Sequence, residues 1–234
     1  MNFFWFPFED LPFIFIAFAV SLAVHEWAHA YTAYLFGDRT AYDAGRVTLN
    51  PRAHLDVLGT IMILLAGFGW AKPVPYNPNR FRKPRLMSIA VTAAGPISNL
   101  ILVLISVFLV YLLNQTGMLQ AGSVGVYKAL VHLFYYLIFL NITLFLFNLI
   151  PLPPLDGYNI VKNMLPYRIR LQLEQHEHWG AYLFLLLVFI PPLRNVTISP
   201  VLNYSGDIFL NIVEICESIF SKPMDWYQFF VDLN

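Results

Sequence analysis

LPFIFIAFAVSLAVHEWAHAYTAYLF, residues 11–36, is an almost uncharged apolar run with His25-Glu26-Trp27-Ala28-His29 set into it. The run is longer than the roughly 20 residues a membrane-crossing helix needs. On a helix, positions four apart lie one turn above each other, so His25 and His29 offer two imidazoles to one metal ion while Glu26 stands beside them to handle a proton. Ionisable groups at a membrane helix centre cost about 2.5–3.5 kcal/mol each, and three within five residues call for a compensating partner. The pattern H-E-x-x-H in that setting predicts a buried Zn²⁺ site with hydrolytic chemistry.

The rest of the chain agrees with a membrane reading. Of its 234 residues 58% are hydrophobic and 17% aromatic, while only 12% are charged, against about 25% charged in soluble proteins. The expected fold class is an all-α integral membrane protein, a polytopic bundle of four to six transmembrane helices. Formal charge balances at zero, which excludes the basic surface of a nucleic-acid binder. The single cysteine, Cys216, permits neither an internal disulfide nor a thiolate cluster, and a packing role is expected. The N-terminus, acidic at Glu9 and Asp10, lacks a basic signal-peptide start, so the first apolar run is expected to be retained.

Residues 11–36, 88–113, 130–150 and 179–193 are apolar enough to span, the last being short and ending at Pro191-Pro192. Residues 57–69, only about thirteen, are ambiguous by length. Residues 207–221 carry a polar stripe of Asp207, Asn211, Glu214, Ser218 and Ser221 and are expected at the interface. Arg39, Arg46 and Arg52, then Lys72, Arg80, Arg82, Lys83 and Arg85, then Lys162, Arg168 and Arg170 mark the loops expected in the cytoplasm, whereas Asn114 to Ala129 carries only Lys128. Basic loops on both sides of 57–69 favour a re-entrant or β-hairpin element there. The expected organisation is one membrane-embedded unit over 1–234, with a catalytic core at about 11–165 and peripheral helices at about 174–234. A multi-pass protein of the cell membrane is expected.

Catalytic zinc usually keeps three protein ligands and one open position. The best third ligand is Asp156, in Asn148-Leu149-Ile150-Pro151-Leu152-Pro153-Pro154-Leu155-Asp156-Gly157, where prolines forbid regular helix at the end of a span. The spans leading to His25 and to Asp156 run in the same direction under this topology, so the two motifs approach the same face.

Together these motifs resemble the site-2 protease family of intramembrane zinc metalloproteases, in which H-E-x-x-H and an L-D-G aspartate form the site. The resemblance extends through Asn50-Pro51-Arg52-Ala53-His54-Leu55-Asp56, Gly59-Thr60, Gly69-Trp70-Ala71-Lys72-Pro73-Val74 and Ala94-Gly95-Pro96-Ile97-Ser98-Asn99, covering about residues 15–165. It is closest to a compact prokaryotic type without a PDZ or CBS domain. It implies one Zn²⁺ per chain on His25, His29 and Asp156, Glu26 as the general base, a transmembrane protein as substrate, and Asn148 as a hydrogen-bond donor or acceptor to the opened substrate backbone. An interhelical contact is an equal reading for Asn148.

His54 has two readings of similar weight: an oxyanion or orienting contact near the site, and a cap for the segment that follows. Asp56 and Asn99 read as structural polar contacts. Lys72-Pro73-Val74-Pro75-Tyr76 reads as extended, either an ordinary loop or a strand edge for an unwound substrate. His132 matches no motif, and His176 and His178 read as solvated in a hydrophilic loop beside Glu174 and Glu177. The expected partners are a transmembrane protein substrate and membrane lipid, with no nucleic acid; self-association as a homo-oligomer stays open. Two rival readings remain: a membrane zinc peptidase completed by Glu174, Glu177, Glu214 or Glu217, and a zinc carrier or non-catalytic partner of membrane helices. Transport needs no base beside the metal, so Glu26 weighs against the second.

Overall fold

The computed structural model describes residues 6–119, 121–220 and 223–231. Three helices are long and apolar enough to cross a membrane: α1 (Leu11–Leu35), α4 (Pro84–Gln115) and α5 (Val124–Asn148). Between the first two lie a short α2 (Thr40–Asp43) and α3 (Val57–Ala66); after α5 come α6 (Asp156–Met164), α7 (Tyr167–Phe189), α8 (Pro191–Leu202), α9 (Ser205–Phe220) and α10 (Trp226–Val231).

α1 begins with Pro12 in its first turn, where a missing N–H costs nothing. It buries Ala17, Ala19, Ala23, Ala28, Ala30 and Ala33. In lipid, where apolar surface alone gives no preference for helix over acyl chain, small side chains let backbones approach and pack. α1 therefore sits closely against α4 and α5. Its direction relative to α5 is fixed at two levels: Asp10 meets His132 (Oδ1–Nδ1 2.6 Å) and Tyr136, whose hydroxyl donates to Oδ2 at 2.7 Å, and Ser21 meets Asn141 at 2.8 Å. Advancing along one helix advances along the other, so they are parallel, as the topology requires. His132, which matched no motif, is thus a structural tie.

Residues 57–69 do not cross. Asp56 caps α3, its Oδ1 accepting from the Gly59 N–H at 2.9 Å, and Gly67 ends the helix in the left-handed region at φ 68°. The chain then returns to the start of the helix: Gly59 and Gly69 leave no room for a Cβ against the returning backbone, and an antiparallel bridge joins Leu55 to Ala71. Both ends lie together, so the element is re-entrant. Among the described residues the bridge does not extend into a ladder, so the hairpin is closed by one pair, by the Lys72 N–H to His54 O bond (2.8 Å) and by glycine packing.

Two expectations change. The span anticipated at 179–193 is continuous only to Phe189; the chain bends by 93° at Ile190 into α8, because Pro191 and Pro192 cannot continue a helix from above. The hydrophilic stretch around Glu174–His178 is part of α7 rather than a loop, with His176 and His178 exposed on it. α9 packs on α4 and α5, burying Ile212, Val213 and Cys216 in the cluster that holds Val103, Val107 and Tyr111. Its polar edge meets the bundle through Glu217, which accepts from the Tyr111 hydroxyl at 3.1 Å. Ser221, at the end of the expected polar stripe, lies outside the described residues.

Candidate metal centre

His25 and His29 face α4 on one side of α1 and are both buried. Gly95 makes the space: a Cβ there would stand 2.3 Å from His29 Nε2 and 2.7 Å from His25 Cε1. Next to it, Pro96 lacks an N–H, so the Thr92 carbonyl one turn earlier in α4 has no helical donor. In that turn the Val91 carbonyl accepts from His29 Nδ1 at 2.7 Å. His25 Nδ1 stands 2.6 Å from Asn99 Oδ1.

Asp156 arrives from the other end of the fold. The Pro151–Leu155 segment breaks the helical path after α5, and α6 restarts at Asp156. Gly157 lets this start press against the chain it has just left, since a Cβ would lie 2.2 Å from Leu149 O and 2.6 Å from Ile150 O. Arg85 at the foot of α4 donates to the Asn163, Met164 and Leu165 carbonyls, tying down the far end of α6.

The result is a convergence of three ligand atoms. His25 Nε2 and His29 Nε2 are 3.0 Å apart, and Asp156 Oδ2 is 3.2 Å from the first and 3.3 Å from the second. Carbonyl oxygens cannot donate, so each ring's proton belongs on the Nδ1 that faces Asn99 or Val91. Each Nε2 is then left with a bare lone pair, facing the other and a carboxylate oxygen that is buried without a hydrogen-bond partner. Such a cluster is repulsive without a cation. Tetrahedral ligands about 2.0–2.1 Å from zinc lie roughly 3.3–3.4 Å from one another, close to the spacing found. The three residues fit Zn²⁺, and they form a group able to hold a metal.

Glu26 is buried on α1 beside His25, with no hydrogen-bond partner among the described residues, and its charge reaches Arg46 and His54. Arg46, read from sequence only as a loop charge, is buried at 6% exposure. It donates to Pro73 O (3.2 Å) and Lys72 O and approaches His54 Nδ1 at 3.5 Å. His54 is fully buried, its Nε2 donating to Thr48 O at 2.7 Å. Burial, then the Arg46 charge, push its imidazole below the ordinary range, with the Thr48 carbonyl working the other way. His54 therefore faces Arg46 and Thr48 rather than the three metal-facing atoms. The 72–73 carbonyls, the edge offered to an unwound peptide, are already occupied by Arg46. Asn148 is half-buried, donates to Leu144 O at 3.0 Å and makes no hydrogen bond to His25, Glu26, His29 or Asp156 among the described residues.

The sequence-predicted ligands thus meet, while Asn148 and His54 stand apart from them. Asn99, read as a structural contact, touches His25 directly. A polar residue deep in a span was the available signal.

A helical membrane bundle that encloses two histidines, an aspartate and an adjacent glutamate has the make-up of a membrane-embedded zinc metallopeptidase. The model of peptidase family M50 matches residues 13–191. "Putative zinc metalloprotease YwhC" of Bacillus subtilis (strain 168) is 48% identical over 213 residues, 90% of this chain and 95% of that protein. "Putative zinc metalloprotease Rip2" of Mycolicibacterium smegmatis is 31% identical over 180 residues, and the protein of that name from Mycobacterium tuberculosis (strain H37Rv) 33% over 181, each match covering 75% of this chain and 66% of the relative. No solved structure matches the chain. The chain belongs to peptidase family M50, the site-2 protease family, and is a zinc metalloprotease.

Proposed function

We propose that this protein is an intramembrane endopeptidase that hydrolyses a peptide bond in a locally unwound transmembrane segment of another protein, near the cytoplasmic face of a prokaryotic cell membrane it crosses several times. The observation that carries the reading is the convergence of His25 Nε2, His29 Nε2 and Asp156 Oδ2 within 3.3 Å of one another, inside a bundle whose basic loops gather at the same end.

In this reading His25, His29 and Asp156 hold Zn²⁺, which when bound supplies Lewis acidity at the scissile carbonyl and the attacking water. Glu26 accepts the water's proton on its carboxylate and returns it to the leaving nitrogen. His54 acts at one remove, holding Arg46 in place. The unit that does this is residues 11–165, with the helices beyond it as supports.

A transmembrane helix hides its carbonyls in its own hydrogen bonds, which are costly to open in lipid. A cavity of about 580 Å³, reaching α1 at Phe18 and walled by Ile63, Phe68, Leu144, Phe147 and Phe189, would receive apolar side chains of the opened segment. Asn148, next to Phe147, would hydrogen-bond its freed backbone. Substrates should therefore carry Gly, Pro or Asn near the cut. Replacing those residues with Leu in a reporter span should slow cleavage by about 10-fold or more, each roughly 1 kcal/mol of helix propensity weighing on the opened state. Equal cleavage across the series, read by reporter proteolysis in detergent or liposomes, contradicts local unwinding.

A further inference from the structure

Behind His25 a file of three polar side chains crosses the helix packing: Asn99 on α4, Asn141 on α5 and Ser21 on α1, all fully buried. Each hydrogen bond in the file has a forced direction, and the forcing starts at backbone carbonyls far from the metal centre. Ser21 Oγ donates to Ala17 O at 2.6 Å, so it presents only lone pairs to Asn141. Asn141 Nδ2 donates to Ser21 Oγ at 2.8 Å and to Leu137 O at 2.7 Å. A carbonyl accepts only, so this end of the amide must be the NH₂ end. Asn141 Oδ1 is thereby turned towards Asn99 and accepts from its Nδ2 at 2.8 Å. Asn99 Oδ1 is left to face His25 Nδ1 at 2.6 Å.

We propose that Asn141, steadied by Ser21, is a positioning residue for the metal centre: it fixes which way round the Asn99 amide stands, and so which nitrogen of His25 carries the proton. The inference rests on His25 being a zinc ligand, as proposed above. An amide is nearly symmetric in shape, and beyond this file Asn99 Nδ2 meets only the Ser21 carbonyl, at 3.5 Å, too long a contact to hold the amide one way round. Reversed, it would offer an N–H to His25 Nδ1, which then accepts, and the ring proton would move to Nε2. That places a hydrogen where a ligand lone pair is required, 3.2 Å from Asp156 Oδ2. The carbonyls of Ala17 and Leu137 remove the ambiguity. A ligand's outer partner commonly fixes its tautomer; here the choice is set two residues further back.

The test is zinc affinity by chelator competition on the detergent-purified full chain. Asn141→Leu should weaken zinc about 10–100-fold, the range typical of losing an outer-shell partner. Asn141→Ala adds no bulk to α5 and is read in the same way where the leucine variant does not fold. Asn99→Ala should by itself weaken zinc by a similar factor, because it removes the acceptor that faces His25 Nδ1. In that background Asn141→Leu should change affinity by less than about two-fold, the scatter expected of uncoupled sites. Equal losses in the two backgrounds would mean that Asn141 serves packing alone and would overturn the inference. So would wild-type affinity in both Asn141 variants, or in Asn99→Ala alone. His25→Ala separates the two levels: if it binds zinc as the wild type does, the ligand assignment beneath the inference has failed.

Discussion

Glu26→Gln should bind zinc as the wild type does and cleave on the order of 10²–10⁴-fold more slowly, the contribution expected of a positioned general base. Glutamine has nearly the same volume and leaves the His25, His29 and Asp156 atoms untouched, but its amide cannot accept a proton at neutral pH. The split between the two readouts is what identifies the role. Glu26 is buried with no hydrogen-bond partner among the described residues, so it is not tied into the packing by a network whose loss would disturb the ligands. Zinc per chain and single-turnover cleavage of a reporter span, measured on the same preparation, check it. Cleavage at the wild-type rate would remove Glu26 from the chemistry, and loss of zinc would make it a structural support instead.

Gly95→Ala should abolish tight zinc binding while leaving the helices formed. Two effects oppose each other here. In a helix interior alanine is preferred to glycine by about 0.5–1 kcal/mol, so α4 itself would gain. The added methyl, however, would stand 2.3 Å from His29 Nε2 and 2.5 Å from its Cε1. Neither partner can yield easily: the methyl is fixed to a buried turn of α4, and the ring is held from behind by Val91 O. The ring must leave its place. A loss of about 100-fold in zinc affinity, the upper end of what outer-shell changes produce, is the least expected when a ligand itself is displaced. Chelator competition beside circular dichroism checks both halves. Zinc affinity within about two-fold of wild type would mean that the two helices part freely, contrary to the close small-residue packing of α1 on α4.

The sequence already contained most of the site, for a physical reason. His25, Glu26 and His29 are neighbours on one helix, so their spacing is their geometry, and Asp156 stands in a segment that prolines bar from regular helix. The three long spans were readable from length and hydropathy, and the re-entrant 57–69 from the clash between its basic flanks and a full crossing. What escaped depends on contacts between distant helices. Gly95 reads as one more small residue until the imidazoles are seen against it. Asn141 and Ser21 are single polar residues in apolar runs, and only the meeting of α1, α4 and α5 turns them into a file ending at His25. Arg46 counted as a loop charge marking the cytoplasmic side, yet it is buried against His54 and the 72–73 carbonyls. The bend at Ile190 was foreshadowed by Pro191-Pro192, but hydropathy alone does not distinguish a short span from a broken one.

The central claim is that His25, His29 and Asp156 hold the zinc with which this protein cleaves a membrane-embedded substrate. The most direct test is metal content by mass spectrometry on detergent-purified wild type and Asp156→Ala, paired with cleavage of a helix-destabilised transmembrane reporter. The account predicts about one zinc per chain in the wild type, a clear reduction in the variant, and cleavage only by the wild type. Zinc content unchanged by the loss of Asp156 would contradict it.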